Sequence, residues 1–150
     1  MQSIFDPVVE RDLIRRIQRL TPESQGQWGK LTAPAMVCHL IDALRVPLRD
    51  DPVTVRPGLM TNPMIRHILI FWMPWPKGRI QTVKKYFMVT KATEFSADVA
   101  TLCGCVRAAA AAGREERAFQ PHPAFGDLSR RQWGGLMAKH ASYHLTQFGV

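Results

Sequence analysis

Two histidines near the carboxyl end of the chain, His140 and His144, are four residues apart. They share a helical stripe with apolar residues, namely Trp133, Leu136, Met137 and Phe148. Residues four apart lie on one face of a helix, so both imidazoles are expected to point inward and to reach one metal ion. Two buried rings without polar partners would cost about 1–3 kcal/mol each, so something must satisfy them.

A third histidine, His39, lies among Met36, Leu40 and Ala43 on another predicted helix and is also expected to face inward. Three imidazole nitrogens suit zinc or nickel and leave a fourth position open for water or substrate. The competing interpretation is that the three histidines are hydrogen-bonded core residues that satisfy one another without metal. The metal interpretation therefore requires the three rings to converge on one point.

The remaining polar candidates have simpler explanations. His122 lies between two prolines, where a role in a turn is favoured over one at a pocket mouth, and His67 is predicted at or near the surface. Asp42 and Gln147 each follow a candidate ligand by three residues. Either side chain could orient that ligand's ring, although solvent exposure is the default expectation for both.

The three cysteines match no disulfide framework. Cys38 points about 100° away from His39 around its helix, which is a poor geometry for a shared metal. Cys103 and Cys105 fall on different helix faces and are predicted to be small core residues. The cysteines are therefore expected to be reduced thiols, as in a cytoplasmic protein. The amino end lacks the plan of a signal peptide, and no apolar stretch is long enough to span a bilayer. These features predict a cytoplasmic protein without a membrane span.

Capping residues and apolar periodicity predict helices for most of the chain. The predicted helices run from Asp6–Pro7 to Thr21–Pro22, from Thr32 to about Val46–Pro47, from Asn62–Pro63 to near Pro74, from Thr93 to about Gly113, and from Arg130 to Phe148. The stretch from Lys77 to Lys91 has no clear period and is left unassigned. Four substantial helices and one short helix predict an all-α domain, a single helical bundle spanning residues 1–150 with a long crossover between its second and third helices.

Composition narrows the functional classes. The chain has 150 residues, of which 46% are hydrophobic and 21% charged, which excludes disordered, collagen-like and disulfide-stapled classes. Twenty Lys and Arg against twelve Asp and Glu give a net charge of +8, which favours anionic ligands. The basic residues are spread along the chain, so nucleic acid is not an expected partner.

Three blocks of sequence resemble the DinB/YfiT-like metalloprotein superfamily, in particular an uncharacterised branch of it. The blocks are Trp28-Gly29-Lys30-Leu31-Thr32 leading to His39, the stretch from His122 to Ser129, and Trp133 followed by Lys139 to Gly149. The resemblance implies a four-helix bundle of up-down-down-up order. It also implies a metal held by His39, His140 and His144. Related sequences often carry a histidine at the position of Tyr143, which should point away from the metal.

Characterised members of that superfamily include transferases and isomerases that use a low-molecular-weight thiol, often as homodimers. With the three-histidine site, the resemblance predicts a metal-dependent enzyme, either an S-transferase, an isomerase or a hydrolase. The basic balance of the chain favours a small, acidic substrate. The alternative is a non-catalytic protein that binds a metal or a small ligand in its helical bundle. The aromatic segment from Phe71 to Pro76 is predicted to be a buried lid or a dimer contact, with contact to an apolar substrate as a further possibility.

Overall fold

Helices account for the regular secondary structure in the described part of this protein. The computed structural model describes residues 2–78 and 84–150. The helices are α1 (Pro7–Ile17), α2 (Ala33–Arg45), α3 (Pro63–Phe71), α4 (Lys84–Phe87), α5 (Phe95–Arg114) and α6 (Arg130–Gln147), with 3₁₀ turns at Val46–Leu48 and Leu59–Thr61. The predicted all-α class is confirmed.

Side chains just outside the helices set where they begin. The Asp6 carboxylate accepts the N–H of Val8, and the Thr32 hydroxyl accepts the N–H of Ala35, with a proline in the first turn of each helix. Ser129 forms a capping box with Gln132 at the start of α6. These caps are local in sequence, so the starts of α1, α2 and α6 agree with the predictions.

Three predicted boundaries differ from the structure. Helix α3 ends at Phe71 rather than near Pro74, because the amides of Trp72 and Met73 both donate to the Ile68 carbonyl and close the helix. The first helix ends at Ile17 rather than near Thr21, because the amides of Arg19 and Leu20 donate to carbonyls three residues earlier, in tighter turns. Helix α5 is capped by Glu94, since the amide and hydroxyl of Thr93 are instead held by the buried carboxylate of Asp98. In the unassigned stretch 77–91, part of the chain forms α4, whereas residues 79–83 lie outside the described residues.

Helix α5 lies at the centre of the packing and contacts α1, α2 and α6. The long connection between α2 and α5 is anchored at two places, because α3 contacts α6 and α4 contacts α2. The buried core draws on every one of these helices and includes Leu13, Ile17, Met36, Leu40, Ile41, Ile70, Phe87, Leu102, Val106, Trp133, Leu136 and Leu145. This packing places the inner faces of α2 and α6 near one another.

Arg16 on α1 is only partly exposed. Its guanidinium donates to the hydroxyls of Ser142 (2.9 Å) and Thr146 (3.0 Å) and to the carbonyl of Val150 (2.8 Å). The fork of donors on an arginine can bind several acceptors at once. Arg16 therefore ties α1 to the last turns of α6 rather than facing solvent.

Among the described helices, α5 alone has the length and apolar composition of a membrane-spanning segment. The mean hydropathy of its most apolar window is 1.3. These two properties are a weak indication, because a helix packed in a protein core shares them. The contacts of α5 with three other helices account for its apolar residues in that way.

Asp42 is buried, so the default expectation of solvent exposure is wrong. Only 6% of the residue is exposed, and its carboxylate accepts the amide N–H of Val89 at 2.7 Å, the amide N–H of Thr90 at 3.0 Å and the hydroxyl of Thr90 at 2.5 Å. These bonds attach the residues that follow α4 to α2, one turn from His39. Asp42 therefore helps to hold α4 against the histidine-bearing face of α2.

Replacing Asp42 with alanine is expected to lower the free energy of unfolding by about 2–4 kcal/mol, because three donors lose a charged acceptor. Chemical denaturation followed by circular dichroism measures this change. Asp50→Ala, at an exposed position of the same charge, is the matched control and should stay near wild type. Equal stability of the two variants would show that the contacts of Asp42 are unimportant.

Candidate metal centre

The structure brings together the three histidines that the sequence singled out. His39 on α2 and His140 and His144 on α6 form a triangle whose ring centroids are 4.9–5.0 Å apart. One ring nitrogen from each lies within 4.8 Å of the other two. His39 and His144 are buried, while His140 is partly exposed. The convergence required by the metal interpretation is therefore present.

Two of the three rings are oriented by hydrogen bonds that point away from the centre. His39 Nδ1 lies 2.9 Å from the carbonyl oxygen of Phe87, and His144 Nδ1 lies 2.9 Å from Gln147 Oε1. Because a carbonyl oxygen only accepts, each Nδ1 carries the proton and donates it. In a neutral imidazole, Nε2 then has a free lone pair, which is the form that binds a metal.

The side chain of Gln147 is locked in the orientation that suits His144. Its amide nitrogen donates to the carbonyl of Trp28 at 2.5 Å, so its oxygen must face the histidine. Gln147 is 3% exposed because the loop carrying Gln27 and Trp28 folds over the end of α6. The default expectation that Gln147 is exposed is therefore wrong. Its contacts support the other suggestion, that it orients the ring of His144.

One pair of ring nitrogens is close to the spacing that a tetrahedral ion needs. His39 Nε2 and His140 Nε2 are 3.0 Å apart. Two imidazole nitrogens bound to one zinc ion at about 2.0–2.1 Å are separated by about 3.3 Å. Without an ion, the contact between His39 and His140 can hold a single proton, the one on His140 Nε2. The lone pairs of His39 and His144 both face the centre of the cluster. Three neutral nitrogen donors with at least two inward lone pairs fit a divalent cation.

Burial keeps the three imidazoles neutral. It lowers the pKa of His39, although the hydrogen bond to the Phe87 carbonyl opposes this effect. Burial, with the neighbouring His39 ring, lowers the pKa of His144 to about 4. Burial and the adjacent histidines lower the pKa of His140 well below its usual range. Near pH 7 all three rings are therefore in the form that coordinates metal.

Two aromatic side chains cover the histidine cluster on one side. The ring of Trp75 lies 5.6 Å from that of His140, and the ring of Tyr143 lies 5.2 Å from that of His144. The Tyr143 hydroxyl donates to the carbonyl of Pro76, away from the cluster. Of the predicted aromatic lid, Trp75 performs this covering role, whereas Trp72 is 77% exposed.

Lys139 is a residue that the sequence analysis missed. Its ammonium group donates to the carbonyls of Leu69 (2.8 Å), Ile70 (3.1 Å) and Met73 (2.6 Å), which lie at the carboxyl end of α3. Lysine commonly satisfies unpaired carbonyls at such helix ends. Its position directly before His140 was the available signal, but the three acceptors lie about seventy residues earlier in the chain.

His122 forms a turn, as predicted. Its Nδ1 accepts the amide N–H of Ala124 (3.0 Å) and of Phe125 (3.1 Å), and its main chain pairs with Gly126. Burial lowers its pKa to about 3, which keeps Nδ1 available as an acceptor. His67 is exposed on α3, in agreement with its predicted position.

The cysteines are separate from the cluster. Cys38 is not among the residues that converge with His39, and all three cysteines are free. Burial raises the pKa of Cys38, Cys103 and Cys105, so their thiols stay protonated near neutral pH. A protonated thiol is a weak ligand and a weak nucleophile.

One cavity borders the cluster at His39, and a larger groove lies beyond Trp75 and Tyr143. The first, of about 270 Å³, is bordered by His39 together with Phe87 and Thr90. The other is an open groove of about 430 Å³, and its walls include Trp28, Trp75, Tyr143, Lys77 and Lys139. The second volume falls in the range of small-molecule pockets, and Trp75 and Tyr143 separate it from the histidines.

The comparisons with known proteins give one match. A family model described as "Protein of unknown function (DUF1569)" matches residues 10–149, a span that includes all three clustered histidines. No curated protein and no solved structure matches the chain.

Replacing Gln147 with leucine removes the acceptor that orients His144 and is expected to weaken metal binding about 10–100-fold. Competition against a chromogenic zinc chelator measures the affinity. Gln25→Leu, at an exposed position, is the matched control and should bind like wild type. Unchanged affinity in Gln147→Leu would mean that this hydrogen bond does not position a ligand.

The metal-free protein should lose stability as the pH falls from about 6.5 towards 3. Over this range the unfolded chain protonates its histidines, whereas burial holds the pKa of His122 at about 3 in the folded protein. His122→Asn offers an amide oxygen to the same two N–H groups but does not titrate. Its unfolding free energy, measured by denaturation at several pH values, should depend less steeply on pH. His67→Asn is the control, and it should follow the wild-type profile.

Proposed function

The chain belongs to the DUF1569 family of proteins of unknown function, and we propose that it is a metal-dependent enzyme. His39, His140 and His144 would hold a divalent ion, zinc or nickel. The observation that carries this proposal is the pair of outward Nδ1–H bonds, to Phe87 and to Gln147, which leaves lone pairs directed at a common point. Without an ion, the single proton on His140 Nε2 can satisfy the lone pair of His39 but cannot also satisfy that of His144.

The bound ion would polarise a substrate or lower the pKa of a water or thiol at its open position. The protein's own residues have other tasks. Phe87 and Gln147 orient two ligand rings, and Trp75 and Tyr143 limit the access of water from the side of the groove. Such preorganised ligands lose little freedom when the ion binds.

The co-substrate that we propose is a low-molecular-weight thiol. Burial keeps the three cysteines protonated, so a reactive thiolate would have to come from outside the protein. The second substrate would be small and acidic. Lys77, an exposed cation that lines the aromatic groove, supports this assignment. The reaction would be S-transfer, isomerisation or hydrolysis in the cytoplasm.

We also propose membership of the DinB/YfiT-like superfamily and its bundle topology. Helices α1, α2, α5 and α6 would be the four helices of an up-down-down-up bundle, with α3 and α4 in the crossover. The contacts of α5 and of α6 with both α1 and α2 support this arrangement. The homodimer that many members form is part of the same proposal.

Protein purified without a histidine tag is expected to contain one divalent ion per chain, measured by elemental analysis. His140→Ala should abolish this metal content while the melting temperature changes by only a few degrees, because the residue is partly exposed. His67→Ala is the matched control and should retain the ion. Metal-free wild-type protein with a normal melting temperature would contradict the metal site.

The activity is tested on the same preparations. Electrophiles are screened with several cellular thiols, with and without a chelator, and turnover should require both the thiol and the ion. Metal binding without turnover for any pair would favour the alternative of a non-catalytic binding protein. Turnover that is indifferent to both the thiol and the chelator would eliminate the proposed transferase.

A further inference from the structure

The net charge of the protein is concentrated in one stretch of the chain. Residues 52–93 contain seven of the twenty Lys and Arg and none of the twelve Asp and Glu. This stretch therefore carries 7 − 0 = +7, whereas the other residues carry 13 − 12 = +1. The basic residues are spread along the sequence, but the acidic residues that would balance them are missing here.

The same stretch also holds most of the exposed apolar side chains. Nine large hydrophobic residues are exposed in the described part of the chain, and eight of them fall between 52 and 93. These eight are Leu59, Met60, Met64, Ile68, Trp72, Met73, Met88 and Val89. The ninth, Val8, lies on α1. An unbalanced positive charge and an exposed apolar surface thus coincide.

Helix α3 presents a continuous apolar ridge to the outside. Met64, Ile68 and Trp72 are four residues apart and are 72%, 40% and 77% exposed. The opposite side of α3 buries Ile70 and lies close against α6. A Cβ atom at Gly135 of α6 would be only 2.6 Å from the ring of Phe71, so this approach needs the glycine.

The backbone at both ends of α3 already has partners. Asn62 accepts the first amide groups, and Lys139 donates to the carbonyls of Leu69, Ile70 and Met73. A helix that enters an apolar medium must have its backbone polar groups satisfied internally. The ridge of α3 can therefore leave water without exposing unpaired groups at its termini.

Basic side chains that precede, follow or lie on α3 have no acidic partners among the described residues. In the described residues, none of Arg56, Arg66, Lys77 and Lys91 forms an ion pair with a carboxylate. Arg56 and Lys77 are exposed before and after α3. Basic side chains without acidic partners, in the same stretch as an exposed apolar ridge, favour a binding partner that is both anionic and partly apolar.

We propose that this face of α3 docks on a membrane surface that contains anionic phospholipid. A short amphipathic helix with an exposed Trp and basic neighbours is the pattern of an interfacial membrane contact. A second copy of the chain would bring a segment of charge +7 against another of +7, which disfavours it as the occupant. Nucleic acid would use the charges but would leave Met64 and Ile68 without apolar partners.

The test is co-sedimentation of the full chain with vesicles. We expect binding to vesicles of phosphatidylcholine mixed with phosphatidylglycerol and little binding to phosphatidylcholine alone. High salt should weaken the binding, because the attraction of basic residues to anionic lipid is screened. Equal binding to both kinds of vesicle, or no binding to either, would overturn the proposal.

Two pairs of variants separate the apolar and the charged contributions. Trp72→Ser should weaken vesicle binding about tenfold, because it removes a large apolar side chain from the ridge. Val8→Ser is the matched control, because Val8 is the one large hydrophobic residue outside the segment that is exposed in the described part of the chain. Arg56→Gln should weaken vesicle binding about fivefold, because it removes one positive charge from the stretch 52–93. Arg19→Gln is the matched control at an exposed position outside that stretch, and it should bind like wild type.

The other possible occupants give different results. If Trp72→Ser converts a dimer to a monomer and no vesicle binding is seen, the face is an interface between copies and the proposal is wrong. Binding to duplex DNA or to an acidic protein without vesicle binding would also contradict it. Because Trp72 does not touch the histidine cluster, an unchanged metal content in Trp72→Ser keeps this test independent of the proposed enzyme.

Discussion

The candidate metal centre depends on two hydrogen bonds that its rings donate outward. They place the protons of His39 and His144 on Nδ1 and so leave Nε2 of each ring as a lone-pair donor. The acceptors are themselves held in place. The Phe87 carbonyl lies at the end of α4, which is attached to α2, and the Gln147 amide is fixed by the loop before α2. The tautomers are therefore set by the packing of the bundle.

The parts of the site that follow local rules could be predicted from the sequence. The period of apolar residues on α6 placed His140 and His144 on the buried face, and the cap at Thr32 defined the helix that carries His39. Both signals span only a few residues. The same local rules gave the starts of α1 and α6 and the turn at His122.

The residues that orient the rings could not be predicted in the same way. Gln147 is fixed by a carbonyl 119 residues away, and Asp42 binds amides 47 and 48 residues further along. Without those partners, a polar residue at either position is expected to face solvent. The sequence likewise could not show that Trp72 is exposed whereas Trp75 lies against His140. The packing of α3 on α6, which is distant in sequence, decides which of the two indoles is covered.

The ammonium group of Lys139 links the partly exposed helix α3 to the helix that carries His140 and His144. Lys139 bonds three carbonyls at the end of α3, lies over the ring of Trp75 and directly precedes His140. Separation of α3 from α6 would break these three bonds together. It would leave the Lys139 ammonium group without its carbonyl acceptors, next in sequence to His140. A change in the position of α3 would therefore also disturb the turn of α6 that carries His140, although the two helices are about seventy residues apart in the chain.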